Sequence, residues 1–312
     1  MNFSLALTTY PLEFFITVLI IITLLPVAGV ILVLIAWRMS LIFSPTIFSK
    51  AVQGKHCLVT GGSQGLGKGI AIELVKAGAH VTIVARGKKD PITKTSSLEK
   101  ACDDLKKIKV NPDQIINYYA CDLTQYAKVV EMCEKLGNAG QHPEWVICNA
   151  GSSLSGFIAD ELPKLSSDNS YEKGDHEWMI EQNYFSAVNV VRAVFAVARS
   201  SASESSSAST NHGVDERISG FTKKEMAHLP SKIILVGSVM STLSFIGYSA
   251  YSGRYLYSIC FLTIITSKYA LRGFADALRS ELKPLDIDVS LYFPGNMDTP
   301  GKRLALSYFF RF

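Results

Sequence analysis

The chain has 312 residues, of which 48% are hydrophobic, enough for one α/β domain and a membrane segment. Its formal net charge is +4, and its 31 Lys and Arg residues are scattered without a long basic run, which argues against binding of nucleic acid. Six cysteines, at positions 57, 102, 121, 133, 148 and 260, form neither a CxxC pair nor a metal-ligand spacing. We therefore expect no metal site and a reducing compartment.

Residues 14–37 are uncharged for 24 positions, long enough to cross a hydrocarbon core of ~30 Å at ~1.5 Å per residue. A cleaved signal peptide would need a basic region before a shorter apolar core, and no Lys or Arg precedes Phe14. A retained transmembrane anchor is therefore favoured over a signal peptide or a buried core helix, with residues 1–13 as a tail.

Residues 38–54, which follow the anchor, are predicted to be a juxtamembrane linker whose short apolar part, 41–48, lies along the membrane surface. Arg38, Lys50 and Lys55 all lie on the C-terminal side of the anchor. Because cytoplasmic flanks carry the excess of basic residues, the rest of the chain is predicted to face the cytosol.

A glycine-rich turn, Thr60-Gly61-Gly62-Ser63-Gln64-Gly65-Leu66-Gly67, lies between an apolar run, 56–59, and a periodic apolar segment, 68–77. The first run predicts a buried strand and the second predicts a helix. Glycines let the backbone come close to a pyrophosphate, and the free N–H groups of a helix N-terminus favour its negative charge. The arrangement predicts a dinucleotide-binding site.

Five further short apolar runs predict strands, and a long helical pattern covers residues 177–199. The predicted strands are residues 81–86, 115–120, 145–148, 232–236 and 290–293. Strands that alternate with helices favour a parallel sheet with helices on its faces.

The spacing T-G-x-x-x-G-x-G resembles that of the short-chain dehydrogenase/reductase family, and four residues carry it: Thr60, Gly61, Gly65 and Gly67. Further motifs follow in that family's order: Asn149-Ala150-Gly151, Ser238, Tyr251 and Phe293-Pro294-Gly295. The resemblance covers residues 55–301. It implies an α/β fold with a Rossmann-type doubly wound parallel sheet, preceded here by a transmembrane helix, and an oxidoreductase activity.

Arg86 ends the second predicted strand 19 residues after Gly67, where NAD enzymes tend to place an acid that binds the ribose hydroxyl. A carboxylate there would repel a 2′-phosphate, whereas a guanidinium can bind it through charge-assisted hydrogen bonds. With Lys88 and Lys89 beyond it, Arg86 predicts NADPH as the cofactor; a solvated basic turn is the alternative. Together with the contacts implied by the resemblance, the predicted cofactor-binding residues are Gly61, Ser63, Gln64, Gly65, Gly67, Arg86, Asp122 and Asn149.

The resemblance also implies a catalytic set. Tyr251 would donate a proton to a substrate carbonyl oxygen, Ser238 would bind that oxygen, and Asn183 would support a relay water. In the family a Lys four residues after the Tyr lowers the pKa of the Tyr and binds the nicotinamide ribose. The matching Lys here is Lys268.

This chain departs from the family pattern at position 255, which is Tyr. The family's continuation resumes at Ser267-Lys268, so residues 254–266 are predicted to be an insertion. On a continuous helix, 17 residues place Lys268 about 25 Å from Tyr251, and the two cannot act together unless the insertion loops out. Untranslated sequence read through in the gene model is our hypothesis for its origin.

Two other segments depart from the family. The serine-rich tract 200–209 and the polar sequence up to about residue 230 predict a disordered surface loop. After residue 301 the family continues with further helices and a seventh strand, whereas residues 302–312 form an atypical tail. We therefore expect the C-terminal end of the fold to be truncated.

The sequence is compatible with three functions. The first is an NADPH-dependent reductase of a long-chain keto-lipid in the endoplasmic reticulum membrane. The anchor suits it, because an enzyme held at the membrane need not extract the acyl tail of its substrate far from the bilayer. A membrane-bound steroid or retinol dehydrogenase fits the same logic. The separation of Tyr251 from Lys268 also fits a nucleotide-binding protein without reductase activity. The family often dimerises through the helix after Lys268, which leaves a homodimer open.

Overall fold

A computed structural model describes residues 12–42, 45–87, 96–152, 174–204, 221–238 and 258–294. The chain forms two compact units, Met1–Ala51 and Val52–Phe312. The second unit therefore begins three residues before the predicted start of the catalytic domain at residue 55.

The first unit contains the helix α1, Leu12–Ile42, and most of the helix α2, Pro45–Val52. Helix α1 is long and apolar enough to cross a membrane over Glu13–Arg38, and its large apolar side chains are exposed. The hydroxyls of Thr17 and Thr23 donate to helix carbonyls, at 2.7 Å to Glu13 O and 2.9 Å to Leu19 O. A span in lipid needs its polar groups bonded within the helix in this way.

The second unit contains a six-stranded parallel sheet. Strands β1 to β6 are His56–Thr60, His80–Ala85, Ile116–Ala120, Trp145–Cys148, Lys232–Val236 and Asp288–Tyr292. Their spatial order is β3-β2-β1-β4-β5-β6. The order reverses between β1 and β4, and open sheets of this kind bind ligands in the crevice at that point. The predicted Rossmann-type parallel sheet is confirmed.

Helices cover both faces of this sheet. Alternate residues of a strand point to opposite faces, so neighbouring residues of β1 pack against different helices. Helices α3 to α9 are Gly65–Lys76, Ser97–Lys107, Tyr126–Asn138, Asp175–Ile180, Ser186–Glu204, Lys223–Met226 and Ser258–Leu282. Leu58 belongs to one buried core cluster, which includes residues of α5, α7 and α9, while Val59 belongs to another, which includes residues of α3 and α4. A π turn, Glu181–Phe185, joins α6 to α7, and a 3₁₀ turn, Lys283–Leu285, follows α9.

The predicted disordered loop over residues 200–230 is wrong at both ends. Helix α7 continues to Glu204. On the other side of the loop, the Phe221 ring lies 5.9 Å from the Phe195 ring, and Arg199 lies 4.4 Å above it. Met226 and Leu229 also pack against the core. These apolar residues are too widely spaced for a periodic pattern, and tertiary packing orders them; residues 205–220 lie outside the described residues.

The predicted insertion is helical where the structure describes it. Residues 258–266 belong to α9 and continue without a break into the part of the helix that carries Lys268. Ten residues of helix separate Ser258 from Lys268 by about 15 Å. Tyr251 and residues 254–257 lie outside the described residues, as do residues 295–312.

The five cysteines whose side chains are described, Cys57, Cys102, Cys121, Cys133 and Cys148, are free and buried. Burial raises the pKa of the Cys57, Cys133 and Cys148 thiols to about 12. These thiols therefore stay protonated and unreactive near neutral pH, as expected of small buried apolar residues.

A histidine pair lies at the amino edge of the sheet. His56 and His80 begin β1 and β2, face each other in the strand register, and stack with ring centroids 4.5 Å apart. The His56 amide donates to Glu144 Oε1 at 3.4 Å. Burial, followed by the neighbouring His80 and His142, lowers the pKa of His56 to about 4. The neutral ring is therefore the form that the fold favours.

Acidification is expected to destabilise the fold through His56. Between pH 6.5 and about 4 the unfolded chain binds a proton at this ring that the folded chain does not, so stability falls as the pH falls. The slope is at most about 1.4 kcal/mol per pH unit, and less because solvent screens the half-buried ring. Urea unfolding of the full chain at several pH values measures it.

The variant His56→Phe keeps an aromatic ring against His80 and removes the titrating group, so its stability should depend less on pH. Equal slopes for wild type and His56→Phe would contradict the assignment.

Candidate active site

The glycine turn connects β1 to α3 in a conformation that requires glycine. Gly61 and Gly65 have left-handed backbones, with φ of 67° and 57°. The Gly61 amide donates to Val84 O at 2.7 Å, which fixes the turn against β2. Helix α3 begins at Gly65, and the Gln64 side chain makes no capping hydrogen bond to the amides of the first helical turn.

Gly67 is required because the turn folds back over it. A Cβ atom there would lie 2.3 Å from Gly61 O and 2.4 Å from Asn149 Nδ2. The turn therefore forms a close-packed backbone cradle at a helix N-terminus, which suits a pyrophosphate. These residues fit the dinucleotide that the sequence predicts.

Asn149, predicted to bind the cofactor, lies beneath this cradle. Its Nδ2 donates to Thr60 O at 3.0 Å and Gly61 O at 3.4 Å. The Thr60 hydroxyl accepts from the amides of Asn149 and Ala150, at 2.9 and 3.0 Å, and donates to Ile147 O at 3.3 Å. The ends of β1 and β4 are thus held together by side chains, and Asn149 acts on the cradle through Gly61.

Arg86 and Asp122 lie just beyond the carboxyl ends of β2 and β3. Arg86 is exposed and lies two residues after Val84, the residue whose carbonyl accepts from Gly61. Asp122 Oδ1 accepts from the Thr124 amide at 3.1 Å and hydroxyl at 2.9 Å. Burial alone would raise the pKa of Asp122, but these hydrogen bonds outweigh it and lower the pKa. Lys88 and Lys89 lie outside the described residues.

Asn183 lies in the π turn and is fully buried. Its Oδ1 accepts from the Ser152 amide at 2.9 Å, while its Nδ2 donates to Ser152 O at 3.0 Å and to Ser267 Oγ at 3.2 Å. One amide side chain therefore joins the loop after β4 to the helix α9, immediately before Lys268.

Lys268 extends from α9 to the end of β5, where its Nζ donates to Val236 O at 2.9 Å. Burial lowers the pKa of Lys268 to about 8. A Cβ atom on Gly151 would lie 2.6 Å from Asn183 Oδ1 and 3.3 Å from Lys268 Nζ, so the glycine leaves room for both groups. Ser238 follows Val236 by two residues and is half-buried.

Asn183, Lys268 and Ser238 therefore lie at the carboxyl ends of β4 and β5, while the glycine cradle lies at the end of β1. These two groups flank the point where the strand order reverses, where one extended cofactor can contact both. Tyr251, the remaining predicted catalytic residue, lies outside the described residues.

Comparison with known proteins identifies the family. Residues 55–205 match the family model "short chain dehydrogenase". The 3-ketodihydrosphingosine reductase of Mus musculus is 31% identical over 280 residues, which cover 89% of this chain and 67% of that protein. The chain belongs to the short-chain dehydrogenase/reductase family.

Other relatives in this reductase family are longer than the chain. The PIGF/3-ketodihydrosphingosine reductase fusion protein of Schizosaccharomyces pombe is 37% identical over 247 residues, 79% of this chain and 38% of the relative. The 3-ketodihydrosphingosine reductase of Bos taurus is 31% identical over 270 residues, 86% of this chain and 64% of the relative. The chain thus spans less than two thirds of these two proteins.

Solved structures of the family share the fold. A short-chain type dehydrogenase/reductase from Mycobacterium marinum aligns with a TM-score of 0.55 at 20% identity, covering 82% of this chain and 78% of that one. The Pseudomonas aeruginosa RhlG/NADP active-site complex aligns with a TM-score of 0.54 at 22% identity, covering 82% and 77%. At such identities the likeness concerns the fold alone.

Three polar groups shape this short-chain dehydrogenase/reductase site although no role was predicted for them from the sequence. The Thr60 hydroxyl, the Ser152 peptide and Ser267 are all bound to predicted site residues. Thr60 belongs to the glycine motif, but the motif does not reveal the hydrogen bonds of its hydroxyl, and the signal for Ser152 and Ser267 is their position next to Gly151 and Lys268. Serine and threonine are too common for that adjacency to identify a role.

Proposed function

We propose that this chain is an NADPH-dependent 3-ketodihydrosphingosine reductase, which converts the 3-keto group of that lipid to an alcohol. The proximity of Lys268, Asn183 and Gly151 carries the proposal. It brings a cation and an amide together at the end of the crevice where the nicotinamide of the cofactor would bind. The names of the relatives from Mus musculus and Bos taurus support the substrate.

NADPH, when bound, supplies the hydride that reduces the carbonyl carbon. The Ser238 hydroxyl would bind the carbonyl oxygen as negative charge develops on it, and Tyr251 would donate the proton that completes the alcohol. The ammonium of Lys268 would lower the pKa of the Tyr251 phenol and bind the nicotinamide ribose. Since the pKa of Lys268 is about 8, this ammonium is lost as the pH rises above 8.

Helix α1 supports a lipid substrate and a membrane location. A reductase anchored by Glu13–Arg38 would meet a long-chain ketone in the bilayer, without extracting its whole acyl tail. We place the enzyme in the endoplasmic reticulum membrane with its catalytic unit in the cytosol, because Arg38, Lys50 and Lys55 follow the anchor. A homodimer through α9 is the assembly proposed by family resemblance.

One observation favours a second function, that of a nucleotide-binding protein with impaired catalysis. Helix α9 is continuous from Ser258, so Lys268 lies ten residues inside it. The family pattern instead has the proton donor one helical turn before the Lys. No contact of the described residues favours a steroid or retinol substrate over the keto-lipid.

The deciding experiment measures NADPH oxidation and sphinganine formation by the full chain in liposomes that contain 3-ketodihydrosphingosine. Turnover that Lys268→Met abolishes, and that Lys232→Met leaves intact, supports the reductase; Lys232 binds Asp288 at the opposite edge of the sheet. NADPH binding without turnover would favour the impaired protein. Turnover only with retinal or a ketosteroid would overturn the proposed substrate.

Arg86 is expected to select NADPH over NADH. Arg86→Asp should weaken NADPH binding by roughly 10- to 100-fold more than NADH binding, because it replaces attraction to the 2′-phosphate with repulsion. Fluorescence titration of both cofactors measures the ratio. Lys109→Asp makes the same charge change before β3, at the other edge of the sheet, and should leave the ratio unchanged; an equal loss of both cofactors in Arg86→Asp would refute the contact.

A further inference from the structure

The π turn before α7 moves one backbone amide away from the acceptor that it would have in a regular helix. In an α-helix the Ser186 amide would donate to Gln182 O, four residues back. Here the Ser186 amide donates to Glu181 O, five residues back. This longer step passes over the carbonyl of Gln182, and a passed-over carbonyl in a part-buried helix is costly without a donor.

The Ser186 side chain supplies a donor. Its hydroxyl donates to Gln182 O at 2.7 Å, and Ser186 is buried, with 3% of its surface exposed. Ser186 therefore donates to two successive carbonyls of the π turn, with its amide to Glu181 O and with its hydroxyl to Gln182 O. In a regular helix the same hydroxyl bond would be redundant, since the carbonyl already accepts from the backbone.

The π turn in turn determines the direction of Asn183. An extra residue in a helical turn rotates the preceding side chains about the helix axis by roughly 100°, the angle per residue of an α-helix. With the π turn in place, Asn183 reaches both Ser152 and Ser267. A return to regular helix would turn the amide away from at least one of them.

We infer that Ser186 is a positioning residue of the active site, whose hydroxyl holds the π turn and thereby directs Asn183 to Ser152 and Ser267. It has no direct contact with the predicted catalytic cation, Lys268, among the contacts described. Its effect on catalysis rests on the proposed function, whereas its effect on the position of Asn183 does not.

Hydrogen exchange at the Ser152 amide reports the position of Asn183, because this amide donates to Asn183 Oδ1. In Ser186→Ala the Ser152 amide of the full chain should exchange at least about tenfold faster relative to the Val81 amide of β2. The experiment uses the protein without cofactor or substrate, so its result does not depend on any reductase activity.

Two variants serve as controls. Ser280→Ala removes a hydroxyl bond of the same spacing, from Ser280 Oγ to Asp276 O at 3.3 Å on the regular helix α9, and should leave the exchange ratio unchanged. Ser186→Thr keeps a hydroxyl at position 186 and should restore the wild-type ratio. Where the chain reduces the ketone, kcat should fall about tenfold in Ser186→Ala while the Kd for NADPH stays the same.

Three results would overturn the inference. They are an unchanged ratio in Ser186→Ala, equal acceleration of the Ser152 and Val81 amides, and equal acceleration in Ser186→Ala and Ser186→Thr. If the wild-type chain reduces no ketone while the Ser152 amide of Ser186→Ala exchanges faster, the result counts against the proposed function. The position of Asn183 would still be assigned to Ser186.

Discussion

Deleting residues 254–266 is expected to raise the rate of ketone reduction by the ~10²–10⁴-fold typical of a positioned acid–base group. The deletion returns Lys268 to four residues after Tyr251, one helical turn away and on the same face. In the full chain, ten residues of α9 precede Lys268 and place the start of that helix about 15 Å from it. The rate of NADPH oxidation with 3-ketodihydrosphingosine, for both chains, measures the change.

Adding Tyr251→Phe to the deletion should abolish the gain, because it removes the phenol that is predicted to donate the proton. Similar rates in the two chains would show that Tyr251 already reaches Lys268 in the full chain. Such a reach is sterically available, since the seven residues from Tyr251 to Ser258 can span up to about 24 Å when extended. The insertion would then leave the site intact.

Gly67→Ala is expected to weaken NADPH binding on the order of 100-fold, a clash of ~3 kcal/mol. The added methyl group would lie 2.3 Å from Gly61 O, a backbone atom that cannot move away without opening the turn. It would also displace Asn149 Nδ2, which holds the end of β1 to the end of β4. Isothermal titration with NADPH measures the loss.

Gly69→Ala is the matched control, because it makes the same change two residues further along α3. A Cβ atom at Gly69 would meet no heavy atom within 4 Å. This variant should bind NADPH as the wild type does, and it should be more stable by roughly 0.5–1 kcal/mol since alanine favours a helix. Equal NADPH affinity in the two variants would contradict the proposed cradle.

The sequence predicted the strands of the sheet well because buried parallel strands form uninterrupted apolar runs. The runs at 145–148 and 232–236 agree with β4 and β5 at both ends. Helix boundaries were less predictable. The helix α3 begins at Gly65 instead of Lys68, since the last glycines of the turn are also the first residues of the helix.

The part of the candidate site that glycine spacing defines was predictable from the sequence. The part that depends on single polar residues was less predictable. The structure agrees with a compact cradle at Gly61, Gly65 and Gly67. It could not have been foreseen from sequence that Asn183 lies in a π turn, because no residue pattern distinguishes that turn from the helix around it. The bond from Ser186 to Gln182 O is equally invisible, since it depends on the local helix geometry.

The strand order has a consequence for how the chain is made. Strand β1 pairs with β2 early, but its other partner, β4, ends next to Asn149, which is synthesised 89 residues after Thr60. At ~5–20 residues per second a ribosome needs roughly 4–18 s for that distance. During this interval one edge of β1 has no partner strand, and an unpaired edge is prone to aggregation. The half-sheet of β1, β2 and β3 is therefore the part of the nascent chain where we expect a chaperone to bind.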